Sequence, residues 1–252
     1  MCESVNNLDQ RFQELVKQAE QGDAIAQANL GYYFHIGEGV EKNLEQAVKW
    51  YRKGAEQGNS DGEFNLGYCY HFGQGVEQDY FEAVKWYRKA AEQDHLDAQY
   101  NLGICYYYGL GVEQDYNQAA SWYKKAASKG YSDAQCNLGL CYKHGYGVEQ
   151  NLEKAFYLFK DSAEQGNPTG QNCLGVCYYQ GLFLKKDYEQ AVKWYKRAAK
   201  LGNSNAMFNL SECYFYGHGV EPSFEESSYW REKSNEKRQE EVKGSIFGKS
   251  DI

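Results

Sequence analysis

Proline and methionine are scarce, 2 of each in 252 residues, and basic residues are in deficit, with 27 Lys and Arg set against 35 Asp and Glu. The resulting net charge of −8 argues against a protein that grips phosphate backbones or lies on anionic lipid, so no nucleic-acid partner is expected. Long apolar runs are missing too. The longest uncharged stretch, residues 165–184, holds five Gln or Asn, four Gly and Pro168, which predicts no membrane insertion. Met1 to Gln10 carries Glu3 and Asp9 and lacks both the basic start and the apolar stretch of a secretory leader, so none is expected. Against these shortages stand 26 Gly and 24 Tyr, a bias that needs a cause.

The cause is a period of 36 residues. Leu30-Gly31 returns as Leu66-Gly67, Leu102-Gly103, Leu138-Gly139 and Leu174-Gly175, then as Leu210-Ser211. Gly37-x-Gly39 returns at 73, 109, 145 and 217 and decays at 181 to Gly-Leu-Phe-Leu, while Trp50-Tyr51 returns at 86, 122 and 194. Six units, 23–58, 59–94, 95–130, 131–166, 167–202 and 203–238, follow without insertion. They predict one continuous array, preceded by a capping helix within residues 1–22 and followed by a disordered tail at 239–252.

Each unit reads as two helices. Ala26, Leu30, Gly31 and Phe34 fall on one face of the first, and Ala47, Trp50, Tyr51 and Ala55 on one face of the second. Asn43, Asp79, Asp115, Asn151, Asp187 and Ser223 stand where a second helix needs an N-cap, and Gln46, Glu82, Gln118, Gln190 and Glu226 complete a capping-box spacing. Glycine is accounted for by position: in the Gly-x-Gly connections, at the second-helix ends, and in the Leu-Gly pairs, where a missing Cβ allows close helix approach. The Gly-x-Gly follows a helix and lacks the strand and lysine of a phosphate-binding loop.

The run Ala98-Gln-Tyr-Asn-Leu-Gly-Ile-Cys-Tyr-Tyr-Tyr-Gly-Leu-Gly-Val-Glu-Gln-Asp-Tyr, continuing through Trp122-Tyr123 to Lys125-Ala126-Ala127, resembles the Sel-1-like repeat, a relative of the tetratricopeptide repeat. The resemblance covers all six units. It implies an all-α fold, an α-solenoid of antiparallel helix pairs wound into a right-handed superhelix, and the role of an adaptor that gathers other proteins. A cysteine-rich branch of the family joins the two helices of each unit by a disulfide and has been described as β-lactamases, so a hydrolase of β-lactam or muropeptide type is the alternative it implies.

Eight cysteines bear on that alternative. Cys69, Cys105, Cys141, Cys177 and Cys213 share one position in successive units, where helix axes about 8–10 Å apart exceed disulfide reach. Residues 44–57 and their equivalents supply no second cysteine. Reduced, buried thiols follow, and with them a cytoplasmic location. Cys136 and Cys173 are extra, and Cys173 with Cys177 forms an i, i+4 pair too small for a structural metal site. The five histidines converge with no nucleophile and acid, and no Ser-x-x-Lys signature is present, so no enzyme, cofactor or metal is predicted.

Variation between units concentrates on the first helix, at positions that helical phase turns to the inner, concave wall. In the first unit these include Tyr32 and His35, in the second Phe64, Tyr68, His71 and Phe72, and in the third Tyr100, Tyr107 and Tyr108. Further along come Lys143 and His144, then Tyr179, then Phe208, Phe215 and Tyr216. Aromatic rings supply contact area at small entropic cost, and they serve equally well as packing between neighbouring helices. A binding groove for a segment of another protein, centred on the second and third units of a monomeric chain, is the reading this stripe favours. Asn29, Asn65, Asn101, Asn137 and Asn209, just before each Leu, suit either a bound extended segment or the adjacent repeat's backbone.

Overall fold

A computed structural model describes residues 2–247, with side chains described from Gln10 to Glu241. Among them are helices and turns and no strand. Helix α1 (Cys2–Glu20) precedes the repeats. The first helices are α2 (Ala24–Ile36), α4 (Ser60–Phe72), α6 (Leu96–Tyr108), α8 (Ser132–His144), α10 (Pro168–Gln180) and α12 (Ser204–Tyr216). The second helices are α3 (Leu44–Glu56), α5 (Tyr80–Glu92), α7 (Tyr116–Ser128), α9 (Leu152–Glu164), α11 (Tyr188–Lys200) and α13 (Phe224–Phe247). The tail expected from residue 239 is helical as far as Phe247, because α13 outruns the 13 residues of the other second helices; residues 248–252 lie outside the described residues.

The chain forms two compact units, one ending at Asp115 and the other beginning at Tyr116, where an array without division was expected. The boundary falls inside the third repeat, as it can in a fold whose repeats touch only their neighbours and share no common core.

Packing inside the first, second, fourth and fifth repeats follows from two residue types held 20 positions apart. The second-helix tyrosine is fully buried at Tyr51, Tyr87, Tyr123 and Tyr195, with Phe159 in the fourth repeat. Its ring lies on the first-helix glycine: a Cβ built on Gly31 or Gly175 would stand 2.6 Å from the Cδ1 of Tyr51 or Tyr195. Leu-Gly and Trp-Tyr are thus two halves of one contact. The neighbouring tryptophan is buried or half-buried beneath a cation, with Lys53 Nζ 3.8 Å from the ring centroid of half-buried Trp50 and Lys125 Nζ 3.8 Å from that of buried Trp122.

The second-helix caps form as predicted. Asn43, Asp79, Asn151, Asp187 and Ser223 accept from the backbone N–H two or three residues on. The reciprocal half of the capping box is not needed. Each cap residue's own N–H donates to a first-helix carbonyl, Asn43 to Phe34 at 2.8 Å, Asp79 to Tyr70 and Asn151 to Tyr142 at 2.9 Å. That bond ties the two helices of a repeat together and uses the donor that Gln46 or Glu82 would have taken.

A buried polar ladder, unnoticed in the sequence, runs between repeats. Gln27 Nε2 donates to Ala19 O at 3.0 Å, and Gln57 Nε2 donates to Gln27 Oε1 at 2.7 Å. Gln165 to Gln135 repeats the second bond at 2.7 Å, and Gln93 to Glu63 repeats it with a carboxylate as acceptor. The signal is present as Gln27, Gln99, Gln135 and Gln171 at the common period, with Glu63 and Met207 the exceptions.

Candidate functional site

In the unit ending at Asp115, α2, α4 and α6 carry the predicted aromatic stripe. Tyr32, Phe72 and Tyr108 are 51%, 38% and 66% exposed, and His35, Phe64, Tyr68, Tyr100 and Tyr107 are half-buried. The rings adjoin one another: His35 to Tyr68 at 6.4 Å, Phe64 to Tyr68 at 6.3 Å, Tyr68 to Phe72 at 4.5 Å and Tyr107 to Tyr108 at 4.9 Å between centroids. Half-buried Tyr68 and Tyr107 thereby support exposed Phe72 and Tyr108, which limits the rotamer freedom lost on contact. Phe64 is held further by stacking on His95 at 4.7 Å, a residue whose Nδ1 also accepts from Ala98 N to cap α6.

His71, predicted on the wall, is a packing residue. It is 8% exposed, its ring meets Tyr80 edge-on at 5.1 Å, and burial lowers its pKa, so it is held neutral and out of reach of a partner. Burial also lowers the pKa of His35, with Lys42 acting in the same direction, and raises that of Tyr68. The face is therefore one of neutral rings. A cleft of about 550 Å³ between α1 and α2 adjoins it, where Tyr32 and Tyr33 meet Arg11, Glu14 and Glu38. Its charged rim was not foreseen, since α1 lies outside the repeated pattern.

In the unit beginning at Tyr116, the predicted residues serve different ends. His144 is exposed and stacks on Tyr146 at 5.4 Å. Tyr179 shares a 2.8 Å hydrogen bond with His218 Nδ1, and His218 stacks on Tyr188 at 4.6 Å. A small cleft of about 210 Å³ opens there between Val176, Tyr179, Asn209 and Glu212. Phe215 and Tyr216 are exposed, 54% and 58%, and touch edge to face. Phe208 is withdrawn from the wall, because Arg231 and Arg238 of α13 lie over its ring at 4.7 and 5.3 Å, and Arg231 also pairs with Glu212. Two of the asparagines are likewise used internally, Asn101 donating to Asp97 O at 2.8 Å and Asn209 to Asn172 Oδ1 at 2.9 Å.

The described cysteines are all free, and among the described residues no group of three or more His, Cys, Asp or Glu is placed to hold a metal ion. Among the described residues no helix is long and apolar enough to cross a membrane.

Successive helix pairs, closed on one another by glycine and tyrosine and carrying variable aromatic rings on their first helices, define a helical repeat protein. Residues 24–59, 60–95, 96–131, 132–167, 168–203 and 204–237 each match the Sel1 repeat, one residue out of phase with the units read from the sequence, and the chain belongs to the Sel1 repeat family of all-α solenoids. It is similar to a Sel1 repeat protein from Oxalobacter formigenes, with a TM-score of 0.85 and 38% identity over 92% of this chain and 93% of that one. It is also similar to a protective antigen of uropathogenic Escherichia coli displaying an SLR fold, with a TM-score of 0.79 and 37% identity over 97% of this chain. The match covers 53% of that antigen, so the present chain spans about half its length. An immunity protein of Pseudomonas aeruginosa, at 21% identity and a TM-score of 0.58 over 84% of this chain and 82% of that one, shares the fold alone. No match is found among curated proteins. Sel1 repeats generally act as non-enzymatic scaffolds for protein interaction.

Proposed function

We propose that this protein is a non-catalytic adaptor that docks a segment of another protein on the aromatic face of α2, α4 and α6. One observation carries the reading: Tyr32, Phe72 and Tyr108 stand exposed in a row of repeats, Phe72 backed by half-buried Tyr68 and Tyr108 by half-buried Tyr107. Such rings bury large areas on contact, and the tyrosines keep a hydroxyl for peptide groups. Neutral rings select an apolar or aromatic segment rather than a strongly charged one. A cytoplasmic location belongs to the same reading, supported by thiols that pack as small apolar side chains.

The test is affinity capture with the full chain beside a Tyr68→Ala, Tyr108→Ala double variant whose helical content is checked by circular dichroism. Loss of the captured proteins with helicity retained is the expected result; an unchanged set removes this face as the docking surface. Turnover of a chromogenic β-lactam above background, with or without added zinc, overturns the non-catalytic part.

A further inference from the structure

Of the seven cysteines in the repeats, two stand outside the ladder formed by the other five. Cys136 on α8 and Cys173 on α10 are 37 residues apart, one more than the period, and this offset changes what they can touch. Ladder cysteines occupy equal heights on neighbouring helices. The offset pair spans the seam between them: Cys136 is 1% exposed, and half-buried Cys173 packs against the cluster that contains it. The register is shown independently one repeat further on. There the same two positions are Asn172 and Asn209, whose side chains meet at 2.9 Å. Where both positions are cysteine, the contact is an S–H···S hydrogen bond from Cys136 to Cys173.

We propose that Cys136 and Cys173 form a reactive dithiol, a site of oxidative modification that closes to a disulfide joining the first helices of the fourth and fifth repeats. Cys173 is the attacking sulfur, because it is the member with access to solvent. The hydrogen bond from Cys136 and the ammonium of Lys143 hold its thiol below the ordinary range against the opposing effect of burial. Cys136 is pushed up by the proton it keeps in that bond, by burial and by Cys173 and Asp133. Cys177, one turn beyond Cys173, is pushed up to about 12 by burial and stays inert.

With a hydroperoxide as oxidant the step balances. The Cys173 thiolate attacks the O–O bond of hydrogen peroxide and takes one oxygen to become a sulfenic acid, while the other oxygen leaves as hydroxide and is protonated to water. The Cys136 sulfur then attacks the Cys173 sulfur. An S–S bond forms, the S–O bond breaks, and the hydroxyl leaves with the Cys136 proton as a second water. Two thiols are oxidised to one disulfide and one peroxide is reduced to two waters.

The experiment uses the full reduced chain, treated with a small excess of hydrogen peroxide at neutral pH, digested without reductant and read by mass spectrometry. A linked peptide pair joining Cys136 to Cys173, two hydrogens lighter than the separate peptides and released by dithiothreitol, is expected. The oxidised chain should melt several degrees higher. Iodoacetamide should alkylate Cys173 about tenfold faster than Cys141, Cys177 or Cys213. In Cys136→Ala, alanine being the residue at the equivalent Ala28, the sulfenic acid has no resolving thiol, and a 1,3-dione probe should capture it. Three outcomes overturn the proposal: both thiols surviving peroxide unmodified, Cys173 oxidising without linkage to Cys136, or Cys173 linking instead to Cys177. The wild-type measurements stand whether or not the variant folds.

Discussion

Gly67 and Tyr87, 20 residues apart, meet so closely that a Cβ added to Gly67 would lie 2.8 Å from the ring's Cδ1 and 3.2 Å from the carbonyl oxygen of Ala83. The ring is fully buried and the carbonyl belongs to a helix, so neither has room to yield. Gly67→Ala is therefore expected to destabilise the protein by about 2 kcal/mol, the ordinary cost of overpacking, despite alanine's better helix propensity. In a Tyr87→Leu background the same change should cost less. Thermal or urea unfolding of the four chains checks this, and equal costs in both backgrounds would show that the ring is not what excludes the methyl group.

Glu63 is the one carboxylate in a ladder of buried glutamines. It is 3% exposed and accepts from Gln93 Nε2 at 2.7 Å. Burial raises its pKa, opposed by Lys89 and Gln93 and assisted by Glu92. For an acid whose folded pKa is raised, the stability of the protonated form is complete below the unfolded value and is lost as pH rises through the folded one. Glu63→Gln keeps the acceptor for Gln93, as Gln135 does for Gln165 at 2.7 Å, and removes the buried charge. The variant should match wild type near pH 4 and exceed it increasingly toward pH 8, with a rise in Tm there of about 2–4 °C per kcal/mol gained. Melting curves across that range decide it; a difference independent of pH would exclude the charge as the cause.

The period, the helix pairs and the caps could be read from the sequence because they are local: hydrophobic spacing within one helix and a polar residue at its start. What each repeated position touches could not. Gln57 reaches Gln27 across 30 residues, and Asn209 reaches Asn172 across 37, and a period says only that such positions recur. Helical phase puts His71 and Phe208 on the wall for the same reason, since it cannot see Tyr80 closing over one ring or Arg231 over the other. The Cys136–Cys173 contact was legible only as an odd spacing, and it took the neighbouring asparagine pair to give that spacing a direction.

The hydroxyls of Tyr51 and Tyr87 are buried and have no hydrogen-bond partner, while the fourth repeat solves the same packing problem with Phe159. An unpaired buried hydroxyl costs stability that the ring alone does not. Tyr87→Phe is therefore expected to be neutral or stabilising by about 1 kcal/mol. Tyr87→Leu, which also loses the contact with Gly67, should destabilise. Denaturant midpoints with unchanged slopes would establish both signs; a clear loss in Tyr87→Phe would reveal a partner for the hydroxyl.

Asp79 and Glu82 separate the working half of a capping box from the idle half. Asp79 Oδ1 accepts from Phe81 N at 2.9 Å and from Glu82 N at 3.1 Å, whereas the Asp79 N–H is already given to Tyr70 O at 2.9 Å. The Glu82 carboxylate turns instead to Lys85, in an exposed ion pair at 3.0 Å. Asp79→Ala strands two first-turn donors of α5 and is expected to cost about 1 kcal/mol. Glu82→Ala removes only the exposed pair, worth about 0.3–0.5 kcal/mol and weakened by salt. Unfolding at low and high ionic strength distinguishes them, since the cap's contribution should largely persist in 1 M salt and that of the pair should fade. Equal losses from the two substitutions would mean that Glu82 does close the box, and that the Asp79 N–H is shared between it and Tyr70.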